Sequence, residues 1–153
     1  DEYGISSFVY QARRPFHPRR LLDFVQGGGF KRLLRSKGFL WLASDSDTAY
    51  FWSQVARQGY FQLVGRWWAS EPRENWPADA EVQLEINHAW QEPYGDRRQE
   101  IACIGQKLKK EKLIASLDSC LLNDAEMALW QAGELALENP FVVPAAEVDD
   151  AYA

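Results

Sequence analysis

Two prolines in the segment Arg13-Arg-Pro-Phe-His-Pro18 constrain this chain more than any other feature. Neither can donate a ladder hydrogen bond, so the β-rich run before them, Gly4-Ile-Ser-Ser-Phe-Val-Tyr-Gln-Ala12, must end there. Alternation in that run sets Ile5, Ser7 and Val9 against Ser6, Phe8 and Tyr10, which reads as a strand buried at least in part on both faces. Pro18 suits a first helical position with His17 at the N-cap, so a helix should follow, with Leu21, Leu22 and Val25 inward and Gly27-Gly-Gly29 at its end.

The remaining chain continues the mixed pattern. Phe30–Ser36 reads as a short helical turn, and Phe39–Ala43 as a buried strand. Thr48–Arg57 and Tyr60–Trp68 read as a hairpin joined around Gln58-Gly59. Residues 70–93 carry three prolines and leave room for a short helix from Asp79 to Trp90. A strand over Arg97–Ile104 follows, and then a helix on which Leu113, Ile114, Leu117, Cys120 and Leu121 recur behind a lysine-rich first turn. Those lysines oppose the helix dipole, which suggests solvated side chains open to a partner. Asn123-Asp-Ala-Glu126 has the capping-box form and opens a last helix toward Trp130. The expected fold class is α+β: a mostly antiparallel sheet of about four to five strands with helices packed on one face, in the order β-α-β-β-β-α-β-α. Residues 1–139 form the expected single domain, and 140–153 an irregular tail.

Charge is spread unevenly. The chain's net −5 divides into +5 over residues 1–38, −2 over 39–112 and −8 over 113–153. A basic front and an acidic rear can attract each other within the fold or steer a partner. Cys103 and Cys120 lie in apolar patterns without a C-x-x-C partner, which points to buried free thiols and a reducing, cytoplasmic setting. The opening Asp-Glu-Tyr-Gly has no leader-like pattern, no apolar run approaches a membrane span, and the absent initiator Met suggests a fragment or processed chain.

Motif chemistry is sparse. Gly27-Gly-Gly-Phe-Lys-Arg32 is glycine-rich and basic but lacks the P-loop spacing that wraps phosphates. His17 and His88 stand too far apart in sequence to suggest a metal pair, and no G-x-S-x-G elbow is present. Asp96 and Glu100 are conceivable as acid and base, yet Arg97 and Arg98 adjoin them, so a structural ion cluster competes with catalysis. Alternation places Asp96, Arg98 and Glu100 together, with Ile101, Cys103 and Ile104 anchoring the strand in the core. The basic residues of the front among aromatics leave nucleic-acid binding a minor option, with no recognition motif beside them.

Four stretches in order carry a resemblance. Tyr3–Leu21 and Asp96-Arg-Arg-Gln-Glu-Ile-Ala-Cys-Ile-Gly105 resemble the two signatures of the C-terminal domain of CobW-family proteins, and Leu34–Ala43 and Gly65-Arg-Trp-Trp68 resemble stretches between them. The likeness runs over residues 3–123. It implies an accessory domain of a CobW-type P-loop GTPase, a family associated with zinc or cobalt delivery and, by name, with cobalamin biosynthesis. GTP, Mg and zinc or cobalt would then belong to an N-terminal domain with a C-x-C-C motif, absent from this chain. The domain would not be an enzyme by itself. The implied partners are that GTPase domain and a client metalloprotein, not nucleic acid or membrane. Interaction candidates are Arg13, Arg14, His17, Arg19, Arg20, Asp96, Arg97, Arg98 and Glu100. The histidine-rich C-terminal part often described for the family is missing here. The rival reading is a free-standing small-molecule or metal-binding module, or an enzyme using the Asp96–Glu100 cluster.

Overall fold

The structure, a computed structural model, describes residues 2–141. Ile5–Ala12 forms β1 and Pro18–Gln26 α1, followed by β2 (Leu33–Leu42), β3 (Asp45–Val55) and β4 (Gln58–Arg66). Two short 3₁₀ turns lead to α2 (Ala80–Ala89), then β5 (Gln99–Gln106), α3 (Lys110–Asp118) and α4 (Asp124–Gln131). All strand pairs are antiparallel, in the order β1-β5-β2-β3-β4. The α+β architecture and its element order are those expected from the sequence.

Strand β5 thus enters between β1 and β2. Gly38 makes that insertion possible: a Cβ there would stand 1.8 Å from the Glu100 carbonyl oxygen, so only a residue without one lets β2 and β5 approach so closely. One face of the sheet carries Tyr10, Leu40, Tyr50, Trp52, Ile101 and Cys103, all buried beneath α1 and α3, with Leu21 and Leu117 wholly excluded from solvent. On the other face Trp41, Ala49 and Trp67 form a second cluster with Phe39, Tyr94 and Trp130 of α4.

The helix starts follow their sequence signals. Pro18 opens α1, and His17 Nδ1 accepts the Arg20 N–H at 3.4 Å. Asp79 caps α2, and the capping box of Asn123 and Glu126 is complete at α4.

Several local expectations are overturned. Leu33–Ser36 belongs to β2 instead of a helical turn, because Leu33 pairs with Gly105 and Ser36 with both Gln54 and Cys103; ladder pairing outweighs local helix preference. The hairpin turns at Ala56-Arg57, with Gln58 already paired to Val55 and Ala56 at φ 55°. Strand β1 is buried on one face only: Val9 is 51% exposed and Ile5 41%, since β1 lies at the sheet edge and no described residue covers that side. Ile104 shares this open face and is 36% exposed, so it does not anchor the core. Cys120 and Leu121 lie beyond the end of α3, although Cys120 stays buried. Of the expected tail, Pro140 and Phe141 occupy a turn, with the Phe141 ring 4.7 Å from that of Phe61, and 142–153 lie outside the described residues.

Candidate functional site

The segment from Tyr94 to Glu100 was the densest cluster of potential chemistry, and the fold divides it. Gln91 and Gly95 exchange backbone hydrogen bonds in a tight turn. Gly95 has φ +71°, and a Cβ there would collide with Ala69 and the Trp90 ring. Asp96, Arg97 and Arg98 precede β5 instead of belonging to it, so strand alternation does not govern their directions.

Asp96 is only 4% exposed, and its carboxylate turns inward. Oδ2 accepts the Trp68 N–H at 2.9 Å and Oδ1 the Ala69 N–H at 2.8 Å. It therefore anchors the 3₁₀ turn Trp68–Ser70 by satisfying amides with no earlier partner. The expected pairing of its carboxylate with Arg98 does not form; Arg98 Nη1 donates instead to the Asp96 backbone carbonyl at 2.8 Å.

Each neighbouring charge is held as well. Arg97 donates to the Ser46 carbonyl at 2.8 Å and to Ser70 Oγ at 2.6 Å, and lies 3.4 Å from Asp47. The Ser70 hydroxyl, then Arg66 and Arg97, lower the Asp47 carboxyl against an opposing effect of burial. Arg98 reaches Glu100 Oε1 at 3.3 Å and sets its guanidinium carbon 5.3 Å from the centroid of the Phe39 ring. Arg13 crosses from the first signature to donate to the carbonyls of Gly95 and Arg97, at 3.1 and 3.4 Å. Burial, then the nearby Arg98 charge, lowers the Arg13 pKa.

The remaining candidates gather at the other end of the first signature. Arg14 donates to the Leu122 carbonyl at 3.0 Å and pairs with Asp124 at 2.9 Å. Arg20 binds both oxygens of Glu126, at 2.7 and 2.9 Å, and also donates to the carbonyls of Ser119 and Leu121. This bidentate pair raises the Arg20 pKa and pulls Glu126 down to about 2. Here the basic front meets the acidic rear within the fold. Burial and the Arg20 charge lower His17, whose ring is taken up by the cap. Arg19 remains exposed, 3.8 Å from Asp23. His88 is exposed on α2, far along the chain from His17. Among the described residues no group of three or more His, Cys, Asp or Glu could hold a metal ion.

A cleft of about 380 Å³ lies over the cluster, lined in part by Phe39, Trp67, Ile86, Asp96 and Arg98. The Asp96 carboxylate already accepts two amides and the Arg98 guanidinium is tied to Asp96 and Glu100, an arrangement that locks loops together and leaves neither of these two groups placed for proton transfer. Both cysteines are free and buried, and burial pushes the Cys103 thiol up to about 12, far from a reactive thiolate.

The sequence reading missed the two residues that hold the sheet interior together. Gln99, wholly buried, accepts the Trp41 N–H at 2.9 Å and donates to the carbonyls of Trp41 and Arg14 at 2.7 and 3.1 Å. Gln54 accepts from Ser36 Oγ at 2.6 Å, and Trp52 Nε1 donates to the same hydroxyl at 2.8 Å. A glutamine at a core-facing strand position was the available signal in both cases.

Comparisons with known proteins identify the family. The family model described as "Cobalamin synthesis protein cobW C-terminal domain" matches residues 5–121. The chain is 43% identical over 131 residues to the zinc-regulated GTPase metalloprotein activator 1 of Dictyostelium discoideum, covering 84% of this chain and 27% of that protein. It is 32% identical over 131 residues to a zinc chaperone of Mycobacterium tuberculosis, covering 80% of this chain and 32% of that one. The chain thus spans about a third or less of the curated relatives it matches. Among solved structures, the Zn(II)-bound YjiA GTPase from E. coli shares the fold with TM-score 0.50 and 18% identity, over 78% of this chain and 30% of that one. With the family model matching residues 5–121, the chain belongs to the cobW C-terminal domain family.

Proposed function

We propose that this chain is the accessory and interaction domain of a CobW-like, GTP-dependent metal chaperone, not catalytic alone. It packs on a GTPase domain and contributes to delivery of zinc or cobalt to a client metalloprotein. GTP, Mg and the delivered metal belong to the GTPase domain in this reading, and a role in cobalamin biosynthesis is the family-name version of it.

The open face of the sheet is the observation that carries the proposal. Cross-strand register sets Ser7, Ile104, Arg35 and Val55 in one row and Val9, Ala102, Lys37, Ser53 and Tyr60 in the next. Val9, Val55 and Tyr60 are each more than half exposed. Apolar side chains interleaved with lysine and arginine suit the modest, partly polar contacts between domains of one chain. The rival reading of a free-standing ligand module or an Asp96–Glu100 enzyme needs those charges free, and the hydrogen bonds above use them internally.

The test is docking. Full-length parent protein carrying Val9→Asp with Ile104→Asp should show faster amide exchange on β1 and β5 and altered GTP turnover, while the isolated domain keeps its thermal midpoint. Unchanged exchange and turnover would remove the open face from the interface. Titration of the isolated chain with GTP, zinc or cobalt should give no tight stoichiometric binding; such binding would favour the rival.

A further inference from the structure

The glycine-rich basic segment and the lysine-rich helix start, two features that the accessory role leaves unused, meet in one groove. It measures about 460 Å³ and lies on the helical side of the sheet, away from the open face. One wall comes from the end of α1 and the turn into β2, with Phe24, Gly28, Gly29, Arg32 and Leu33; the other comes from the end of β5 and α3. Leu108 and Leu113 complete an apolar floor with Phe24 and Leu33.

The rim is cationic on both walls. Arg32 faces Lys107, Lys109 and Lys112, all four exposed, and among the described residues no carboxylate lines the groove. Among the described residues none of the four has a salt-bridge partner within 4.0 Å, whereas Arg14, Arg20, Arg97 and Arg98 are all paired. Lys109 also occupies the N-cap of α3 without a capping side chain, so the positive end of the helix dipole adds to the same field. Lys107 holds a left-handed backbone, φ 53°, uncommon for a residue with a Cβ. Four cations without a carboxylate partner among the described residues thus converge on one groove.

We propose that the groove binds an acidic segment of a partner protein, one that carries apolar side chains between its carboxylates. Charge complementarity selects the acidic partner, and the floor of Phe24, Leu33, Leu108 and Leu113 takes the apolar side chains. A phosphate-based ligand fits less well. The amides of Gly27, Gly28 and Gly29 already donate to the carbonyls of Asp23, Val25 and Phe24 at 2.8, 3.1 and 2.8 Å, so no backbone cradle remains for an anion there. A nucleic-acid strand would need rings to stack on, and the Phe24 ring is half-buried in an edge contact with Phe30 at 5.1 Å. The inference does not depend on the accessory role, because the groove and the open face lie on opposite sides of the sheet.

Fluorescence anisotropy of the full chain with a labelled synthetic peptide, Glu-Asp-Leu-Glu-Asp-Phe-Glu-Asp, tests it at low salt. Lys109→Glu with Lys112→Glu should weaken binding about tenfold or more, and Arg32→Glu on the facing wall should weaken it too, with unchanged circular dichroism. Arg57→Glu, on the β3–β4 turn, should leave it unaltered. A peptide with Gly in place of Leu and Phe should bind about fivefold more weakly or worse. Equal binding of that stripped peptide, or equal or tighter binding of oligothymidine, would make the groove a general polyanion surface and overturn the assignment. So would tighter peptide binding after Glu147, Asp149 and Asp150 are changed to Ala, since the chain's own acidic residues would then be the occupant.

Discussion

Changing Asp96 to Asn separates the structural role of the signature from any chemical one. The wild-type carboxylate is 4% exposed and accepts two backbone amides at 2.8 and 2.9 Å. Hydrogen bonds to a charged group contribute about 1.5–3 kcal/mol each. An asparagine keeps one acceptor and turns its NH₂ toward the second amide, so one bond is lost and a buried N–H is left without a partner. The expected cost is about 2 kcal/mol for Asp96→Asn and about 3–4 kcal/mol for Asp96→Ala. For a chain of this size that lowers the thermal midpoint by roughly 4–8 °C and 6–16 °C respectively. Glu100→Gln is the control: its carboxylate is 38% exposed and, among the described residues, pairs only with Arg98, so about 0.5 kcal/mol or less is expected. Calorimetry and urea denaturation of the three variants give the comparison. An Asp96→Asn midpoint within about 1 °C of wild type would refute the anchoring argument, because two buried charged hydrogen bonds should contribute more than that. A Glu100→Gln loss as large as the Asp96→Asn loss would refute the division of the cluster into an anchor and a surface pair.

Gln99→Leu removes the partner of three backbone groups at a wholly buried position and should cost about 3 kcal/mol or more in urea unfolding; a cost below about 1 kcal/mol would mean that water or a shifted strand replaces it. Glu126→Gln should cost about 1–2 kcal/mol at neutral pH, after discounting for the 37% exposure of Arg20. Because Arg20 depresses the folded-state carboxyl from 4.5 to about 2, this stability is present above the unfolded value and lost as pH falls through the interval between them. Denaturation of wild type and variant should therefore converge at acid pH, and an unchanged gap would count against the pairing. Cys103 and Cys120 should resist a thiol reagent in the native chain and react fully in denaturant; fast native labelling of Cys103 would contradict its buried, raised-pKa environment.

The charges at 96–100 illustrate what could be read in advance. Their presence as a family signature was visible, as was the attraction between basic front and acidic rear that Arg14–Asp124 and Arg20–Glu126 realise. Their partners were not visible. Asp96 bonds to amides 28 and 27 positions earlier, and Gln99 to backbone 58 and 85 positions earlier. Strand alternation misassigned Asp96 and Arg98 because it was extended past the residue at which β5 begins. The groove was likewise present only as two unrelated basic stretches.

Local chemistry alone determined the proline break after β1, the caps of α1, α2 and α4, the two lone buried thiols and the α+β order, since each depends on neighbours within a few residues. The tertiary structure decided the rest. Inserting β5 between β1 and β2 opposite Gly38 chose which face of β1 stays open, turned the signature charges inward and brought Arg32 opposite Lys109 and Lys112. These outcomes depend on contacts between residues far apart in the chain, whose pairing is set by which arrangement buries the aromatic core and satisfies its polar groups, and no local pattern encodes that choice.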